Sequence, residues 1–332
     1  CENVTSIGPV KTYHDGASAQ PYLNAVSNSS INDFTIPFAK IKDWVNPNFH
    51  LQNIYYNRIA ASFGLSSMLD AAVSRNPTFF ISWPGMEDIY QYARNGGHAQ
   101  TLLTPSEFSS YLDSVIAPLA FIGTDGVLAT IPELDVFPYY TLIPWNAADL
   151  EQEDADTVTG FYASAGMTHI VFTEGKNGFV MEDVNAPFGY RQVMEGEYML
   201  LTVPLDSMKC YYYGLIAAVI HDRYVLDTTE VSLINARISQ YNDLIIQKAA
   251  QYNLAVVDMN TYFDKIQTGV LSQGVLFTNE FVRGGFFSLD GYYPTQRGAA
   301  LIANQFILAI NSYYHSTLPT IRCEECNGVL FP

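Results

Sequence analysis

The chain has 332 residues, 48% hydrophobic and 15% charged, a balance that excludes a disordered or low-complexity protein. Lys and Arg number 16 against 33 Asp and Glu, a formal net charge of −17, which excludes the basic footprint of a nucleic-acid binder and disfavours electrostatic adhesion to anionic lipid. No run of 18 apolar residues predicts a membrane-spanning helix, and 4 Cys are too few for a disulfide scaffold.

In chain order, residues 4–7 form a short apolar run before Gly8-Pro9, and residues 32–37 form a second candidate strand. Residues 78–83 (TFFISW) are β-branched and aromatic and stop at Pro84-Gly85, the pattern of a buried strand. Residues 127–131, closed by Pro132, and 254–258 (LAVVD) read alike. Helical spacing separates the strands. Residues 230–252 place Ile234, Ile238, Tyr241, Ile245, Ala249 and Tyr252 on one face, and residues 295–314 do so with Ala299, Ile302, Ala303, Phe306 and Ile310. Short apolar strands alternating with amphipathic helices predict a parallel sheet covered on both faces. Residues 146–165 carry Glu151, Glu153, Asp154 and Asp156, a solvated loop or helix start. Short strands at 169–173, 178–181 and 198–203 follow, so 150–215 reads as a partly β insertion that caps the sheet within a single domain of residues 1–332.

The sequence begins at Cys1, and a mature chain beginning with Cys resembles a processed bacterial lipoprotein. That resemblance implies acyl chains on Cys1, each buried CH₂ contributing about 0.8 kcal/mol to anchoring. It also implies an exported protein in the cell envelope, at the outer membrane. Cys323-Glu-Glu-Cys326 reads as a redox pair, half a zinc site or a local disulfide; in an exported chain the disulfide is preferred. Cys210 reads as a buried thiol.

The segment GGFFSLDGYYPTQRGAALIAN, residues 284–304, resembles the last block of the SGNH (GDSL-type) hydrolases, in their lipoprotein branch, where SLDGxHPTxxGxAxxAN is common. Earlier blocks follow in order. SIGPVKT (6–12) stands where the family has its IGxS nucleophile turn, FTIPFAK (34–40) resembles GVPGAK, and TFFISWPGMED (78–88) resembles TLWIGNND. The resemblance implies a flavodoxin-like three-layer α/β/α sandwich with a parallel sheet, and acyl-ester hydrolysis without a cofactor. In that chemistry a Ser attacks, a His takes its proton, an Asp three residues earlier orients the His, and Gly and Asn complete the oxyanion hole.

Carried over position by position, the family's machinery is missing. The nucleophile falls on Val10, the oxyanion Gly on Phe38, the oxyanion Asn on Glu87 and the base on Tyr293, while Asp290 is retained and Asp88 remains from the third block. Ser6, Thr12, Ser82 and Ser288 are the nearby hydroxyls, each read as solvated or capping, and His14 with Asp15 is the one imidazole near the site, read as a polar loop pair. No HxxxH or HExxH spacing is present, so no metal is expected. There are 23 Tyr; the triplet Tyr211, Tyr212, Tyr213 lies in the insertion and is the candidate protein interface. The expected function is therefore that of a catalytically inactive SGNH-like lipoprotein, a binding or scaffolding subunit of an outer-membrane protein complex. An active acyl-ester or carbohydrate esterase with relocated catalytic residues and a non-catalytic glycan-binding lipoprotein are the alternatives.

Overall fold

The computed structural model describes residues 32–58, 64–98, 100–216 and 218–327. Cys1, Ser6, Val10, Thr12, His14 and the candidate strand at 4–7 lie outside the described residues. Three parallel strands, Phe79–Ser82, Asp125–Ala129 and Ala255–Val257, form the central sheet in that order. Successive side chains of a strand point to opposite faces, and Val127, Leu128 and Ala129 are all fully buried. Both faces of the middle strand are therefore covered, as the helix-strand alternation predicts. The protein has an α/β fold.

The helices that cover the sheet form where the periodicity places them. Thr228–Gln251 starts at Asp227, whose side chain accepts from the Glu230 amide while Glu230 reaches back to the Asp227 amide. Such a reciprocal cap satisfies two otherwise orphaned amides. Its inner face is Ile234, Ile238, Tyr241, Ile245 and Ala249, all buried. Asn242 on this helix accepts from the Ile131 amide at 2.7 Å and donates to the Ile131 carbonyl at 2.9 Å, which fixes the chain as it leaves the middle strand. The helix Pro105–Phe121 packs beside it.

The helix Gln296–Tyr314 packs on the third and middle strands. Near its end, Tyr314 Oη accepts from the Gly126 amide at 3.1 Å and donates to the Gly126 carbonyl at 2.8 Å. Its buried stripe runs through Gly298, Ala300, Leu301, Phe306 and Ile310, and Ala299 is exposed. Gly298 decides this rotation. A Cβ there would lie 2.2 Å from the Phe286 carbonyl oxygen, so the helix approaches through its glycine.

Residues 32–37 do not form a strand. The Thr35 amide bonds back to Asp33 Oδ1, and the segment runs through a turn at Pro37-Phe38 into the 3₁₀ helix Ile41–Val45. Local Asx bonding of this kind competes with ladder formation.

Between the second and third core strands, short antiparallel ladders pair Ala148–Leu150 with Gly175–Asn177, Val180–Glu182 with Tyr190–Gln192, and Tyr198–Met199 with Val225–Leu226. The ladders reach beyond the expected 150–215. The acidic stretch forms a helix, Gln152–Ser164, with Glu153 and Asp154 in its first turn. Residues 169–173 carry no ladder.

Arg191 holds the second hairpin. It reaches Asp183 at 2.5 Å and Glu197 at 2.7 Å, and the Glu197 side chain is wholly buried. Removing one partner of a buried ion pair leaves an uncompensated charge. Replacing Arg191 with Met (Arg191→Met) is therefore expected to cost about 3–5 kcal/mol, read as a lower urea midpoint. An unchanged midpoint would show that Glu197 does not depend on Arg191.

Candidate functional site

The site is built where the first core strand leaves the sheet. After Ser82 the chain turns at Pro84-Gly85 and enters the helix Met86–Ala93. Gly85 sits at φ +87, and a Cβ there would lie 2.6 Å from Ile131 and 3.1 Å from Phe108. The turn thus needs glycine for both its conformation and its closeness to the core. It places Glu87 and Asp88 in the first helical turn, where the helix dipole favours carboxylates.

Asp88 points inward. Its Oδ2 accepts from the Ile41 amide at 3.0 Å, and its Oδ1 has no partner. Asp43 accepts from the Lys40 amide at 3.0 Å, so two buried carboxylates grip the Lys40–Ile41 backbone. Burial lowers the Lys40 pKa, and Asp88 opposes that shift.

Glu87 faces the cleft. Its Oε1 accepts from Tyr293 Oη at 3.1 Å, and its Oε2 accepts from Gln91 Nε2 at 3.3 Å. Gln91 Nε2 also donates to the Phe38 carbonyl at 2.5 Å. A continuous chain therefore links Phe38, Gln91, Glu87 and Tyr293, three of the four positions singled out in the sequence. The fourth, Val10, lies outside the described residues. Phe38 itself sits at φ +65, a left-handed conformation that favours glycine. Arg94 lies 5.0 Å over the Phe38 ring and 5.6 Å over the Tyr90 ring.

Asp290 is occupied by its own turn. Its Oδ1 accepts from Ser288 Oγ at 2.8 Å and from the amides of Tyr292 and Tyr293 at 2.8 and 2.9 Å. The turn is pressed against Tyr139, since a Cβ on Gly291 would lie 2.8 Å from the Tyr139 nitrogen. Behind it the Tyr292 ring stacks on Tyr90 at 3.6 Å and on Phe137 at 4.8 Å.

Burial, then the Glu87 carboxylate, raises the Tyr293 pKa above its ordinary value, so the phenol remains a donor. Burial also raises Glu87, against the hydrogen bonds from Gln91 and Tyr293. Beside this chain opens a cavity of about 870 Å³ lined by Phe38, Lys40, Tyr55, Gln91 and Arg94, among others.

Gln91 and Arg94 escaped the sequence reading, although Glu87, Gln91 and Arg94 follow the i, i+4, i+7 spacing of one helix face. The other sequence candidates lie apart. Tyr211 and Tyr212 are exposed, whereas Tyr213 is half-buried and its Oη accepts from the His221 amide at 3.1 Å. The expected Cys323–Cys326 disulfide is not formed, and both are free thiols. Cys323 is buried, its thiol 3.2 Å from Gln273 Oε1 and 3.2 Å from Ser272 Oγ, while the Cys326 sulfur turns toward the Arg322 carbonyl. Cys210 is half-buried and disulfide-bonded, not a free buried thiol.

No protein-family model matches the chain, and no curated protein matches it. Among solved structures it is similar to an alpha/beta hydrolase enzyme from the metagenome of Lake Arreo, Spain, at 14% identity over 82% of this chain and 68% of that one, with a TM-score of 0.36. No residue's role in this chain rests on that likeness.

Asp88 gives the site a pH signature. Burial pushes it up to about 6, with the Ile41 hydrogen bond and Lys40 opposing the shift. A carboxyl whose folded pKa is raised binds its proton more tightly in the folded state. Its stabilisation is fully present below about pH 4 and is lost as pH rises through about 6. We expect wild-type stability to carry this fall, up to about 3 kcal/mol, and Asp88→Asn to lack it. Parallel stability-pH curves for the two proteins would refute the assignment.

Proposed function

We propose that this chain is a non-catalytic relative of the SGNH (GDSL-type) hydrolases, of their lipoprotein branch, and serves as a binding or scaffolding subunit in an outer-membrane protein complex. The observation that carries the reading is the hydrogen bond from Tyr293 Oη to Glu87 Oε1 at 3.1 Å. In the family these two positions hold the base and an oxyanion donor; here they bond to each other.

Chemistry supports the same reading. Loss of the Ser or His of a hydrolytic triad costs about 10⁶ in kcat. A carboxylate about 4 Å from a developing oxyanion repels it by about 4 kcal/mol at an effective dielectric of 20. Glu87 offers acceptor oxygens where donors are needed, and Asp290 is engaged by Ser288 and two amides. The left-handed Phe38 fits a position that is glycine in the family. Its backbone conformation suits that ancestry while its ring narrows the approach.

We expect purified protein to hydrolyse short-chain aryl esters and acetylated sugars no faster than buffer. A Val10→Ser, Tyr293→His double variant is expected to stay inactive while Glu87 remains. Clear turnover by the parent, abolished in Asp290→Ala, would mean an esterase with an unrecognised nucleophile.

The cavity beside Phe38 favours a second reading, a glycan held without cleavage. Its wall mixes aromatic faces (Phe38, Tyr55) with amide and cationic donors (Gln91, Lys40, Arg94), the combination that stacks on a sugar and bonds its hydroxyls. Calorimetry over a panel of neutral and acidic glycans is expected to show saturable heat that Gln91→Ala reduces at least tenfold. Absence of heat across the panel would rule this reading out.

A further inference from the structure

A second cluster of chemistry-bearing side chains lies outside the Glu87–Tyr293 site. Ligand-type atoms of Glu182, His221 and Asp222 all lie within 4.8 Å of one another. His221 Nδ1 is 2.5 Å from Asp222 Oδ1 and 3.5 Å from Glu182 Oε2. The Arg223 amide donates to both Asp222 Oδ1, at 2.7 Å, and His221 Nδ1, at 3.3 Å. Nδ1 in that role is an acceptor with a lone pair. Two acceptor atoms 2.5 Å apart repel unless a proton or a cation lies between them.

The cluster stands on paired backbone. The Glu182 amide donates to the Ile220 carbonyl at 2.8 Å, and the Ile220 amide donates to the Val180 carbonyl at 2.8 Å. Glu182 and His221 are thus set side by side by a ladder. Asp222 is aimed from its far side, where Oδ2 meets His98 Nε2 at 3.1 Å. His98 arrives on two glycines that allow contact. A Cβ on Gly96 would lie 2.7 Å from the Arg223 backbone, and one on Gly97 would lie 2.0 Å from Glu230 Oε1. The neighbouring cation does not neutralise the carboxylates, because the Arg223 guanidinium lies 4.8 Å over the Tyr224 ring and bonds its hydroxyl.

We propose that Glu182, His221 and Asp222 hold a divalent transition-metal cation of the zinc class, with His98 orienting Asp222. One imidazole with two carboxylates suits zinc-like ions, whereas calcium takes 6–8 oxygens. Zinc binds nitrogen and carboxylate oxygen at about 2.0–2.2 Å; the 3.5 Å between His221 and Glu182 already suits two such ligands, and the 2.5 Å His221–Asp222 pair would open to admit the ion. A carboxylate ligand oriented through its second oxygen is a recurrent feature of metal sites. His221 and Glu182 are about half-exposed, which leaves water access to the remaining coordination position. No sequence spacing discloses the set, because Glu182 comes from a strand end and His221-Asp222 from a distant loop.

The test uses the whole chain, stripped with chelator and titrated with Zn²⁺ by calorimetry, with metal content checked by mass spectrometry. We expect one zinc per chain, at least tenfold weaker binding in Glu182→Gln and in His221→Ala, and no heat from Ca²⁺. A Cys323→Ser, Cys326→Ser variant is expected to bind as the parent does. Glu182 is exposed enough that its amide isostere preserves the fold, so Glu182→Gln decides the matter if His221→Ala unfolds. Zinc content no higher than buffer overturns the proposal. So does parental affinity in Glu182→Gln, or loss of binding in the Cys variant alone.

Discussion

The site depends on one buried carboxylate. Asp88 is held inward at the start of the Met86–Ala93 helix and accepts from the Ile41 amide, so the segment that carries Phe38 is tied to the helix that carries Glu87. An unpaired charge at that depth would be costly, and burial accordingly raises its pKa to about 6. The glycine turn before it cannot be relaxed, because Ile131 and Phe108 occupy the space beside Gly85. Strand, turn, helix and the Lys40–Ile41 backbone are therefore one mechanical unit, and Glu87, Gln91 and Arg94 are side chains on it.

The other wall of the cleft is set by a different constraint. Asp290 gathers Ser288 and two backbone amides, while Tyr292 stacks between Tyr90 and Phe137. The turn presents Tyr293 to Glu87 as a consequence of packing behind it. The hydrogen bond that results is static: a phenol whose pKa is raised donates to a carboxylate whose pKa is raised. The Tyr293 phenol, kept protonated, does not take up a proton as a general base must.

Much of this was legible in the sequence because its signals are local. The 3.6-residue period over Ile234, Ile238, Tyr241, Ile245 and Ala249 gave the face of the long helix, and TFFISW before Pro-Gly gave the first core strand. The meeting of Phe38, Glu87 and Tyr293 was legible only through the motif resemblance, since 206 positions separate Tyr293 from Glu87. What escaped depends on contacts no window contains. Ala299 turns outward because Gly298 must face the Phe286 carbonyl. Residues 32–37 look like a strand but bond to Asp33 instead of to a neighbouring strand. The thiols at 323 and 326 share a CxxC spacing, yet one is drawn into Ser272 and Gln273 while the other turns toward Arg322.

Opposite fields mark the two clusters, although the chain as a whole carries −17. The cavity beside Phe38 gathers Lys40, Lys42 and Arg94 against Asp43, so its walls present donors and positive charge. At Glu182, His221 and Asp222 two carboxylates converge on one imidazole, while the Arg223 guanidinium lies over the Tyr224 ring. The Met86–Ala93 helix leads from one to the other, beginning at Glu87 and running on into the Gly96-Gly97-His98 turn. Local charge within a Debye length of about 8–10 Å dominates what each concavity attracts. A ligand suited to the cavity therefore carries acceptors, and a ligand suited to the distal cluster is a cation. The two concavities therefore select different classes of ligand.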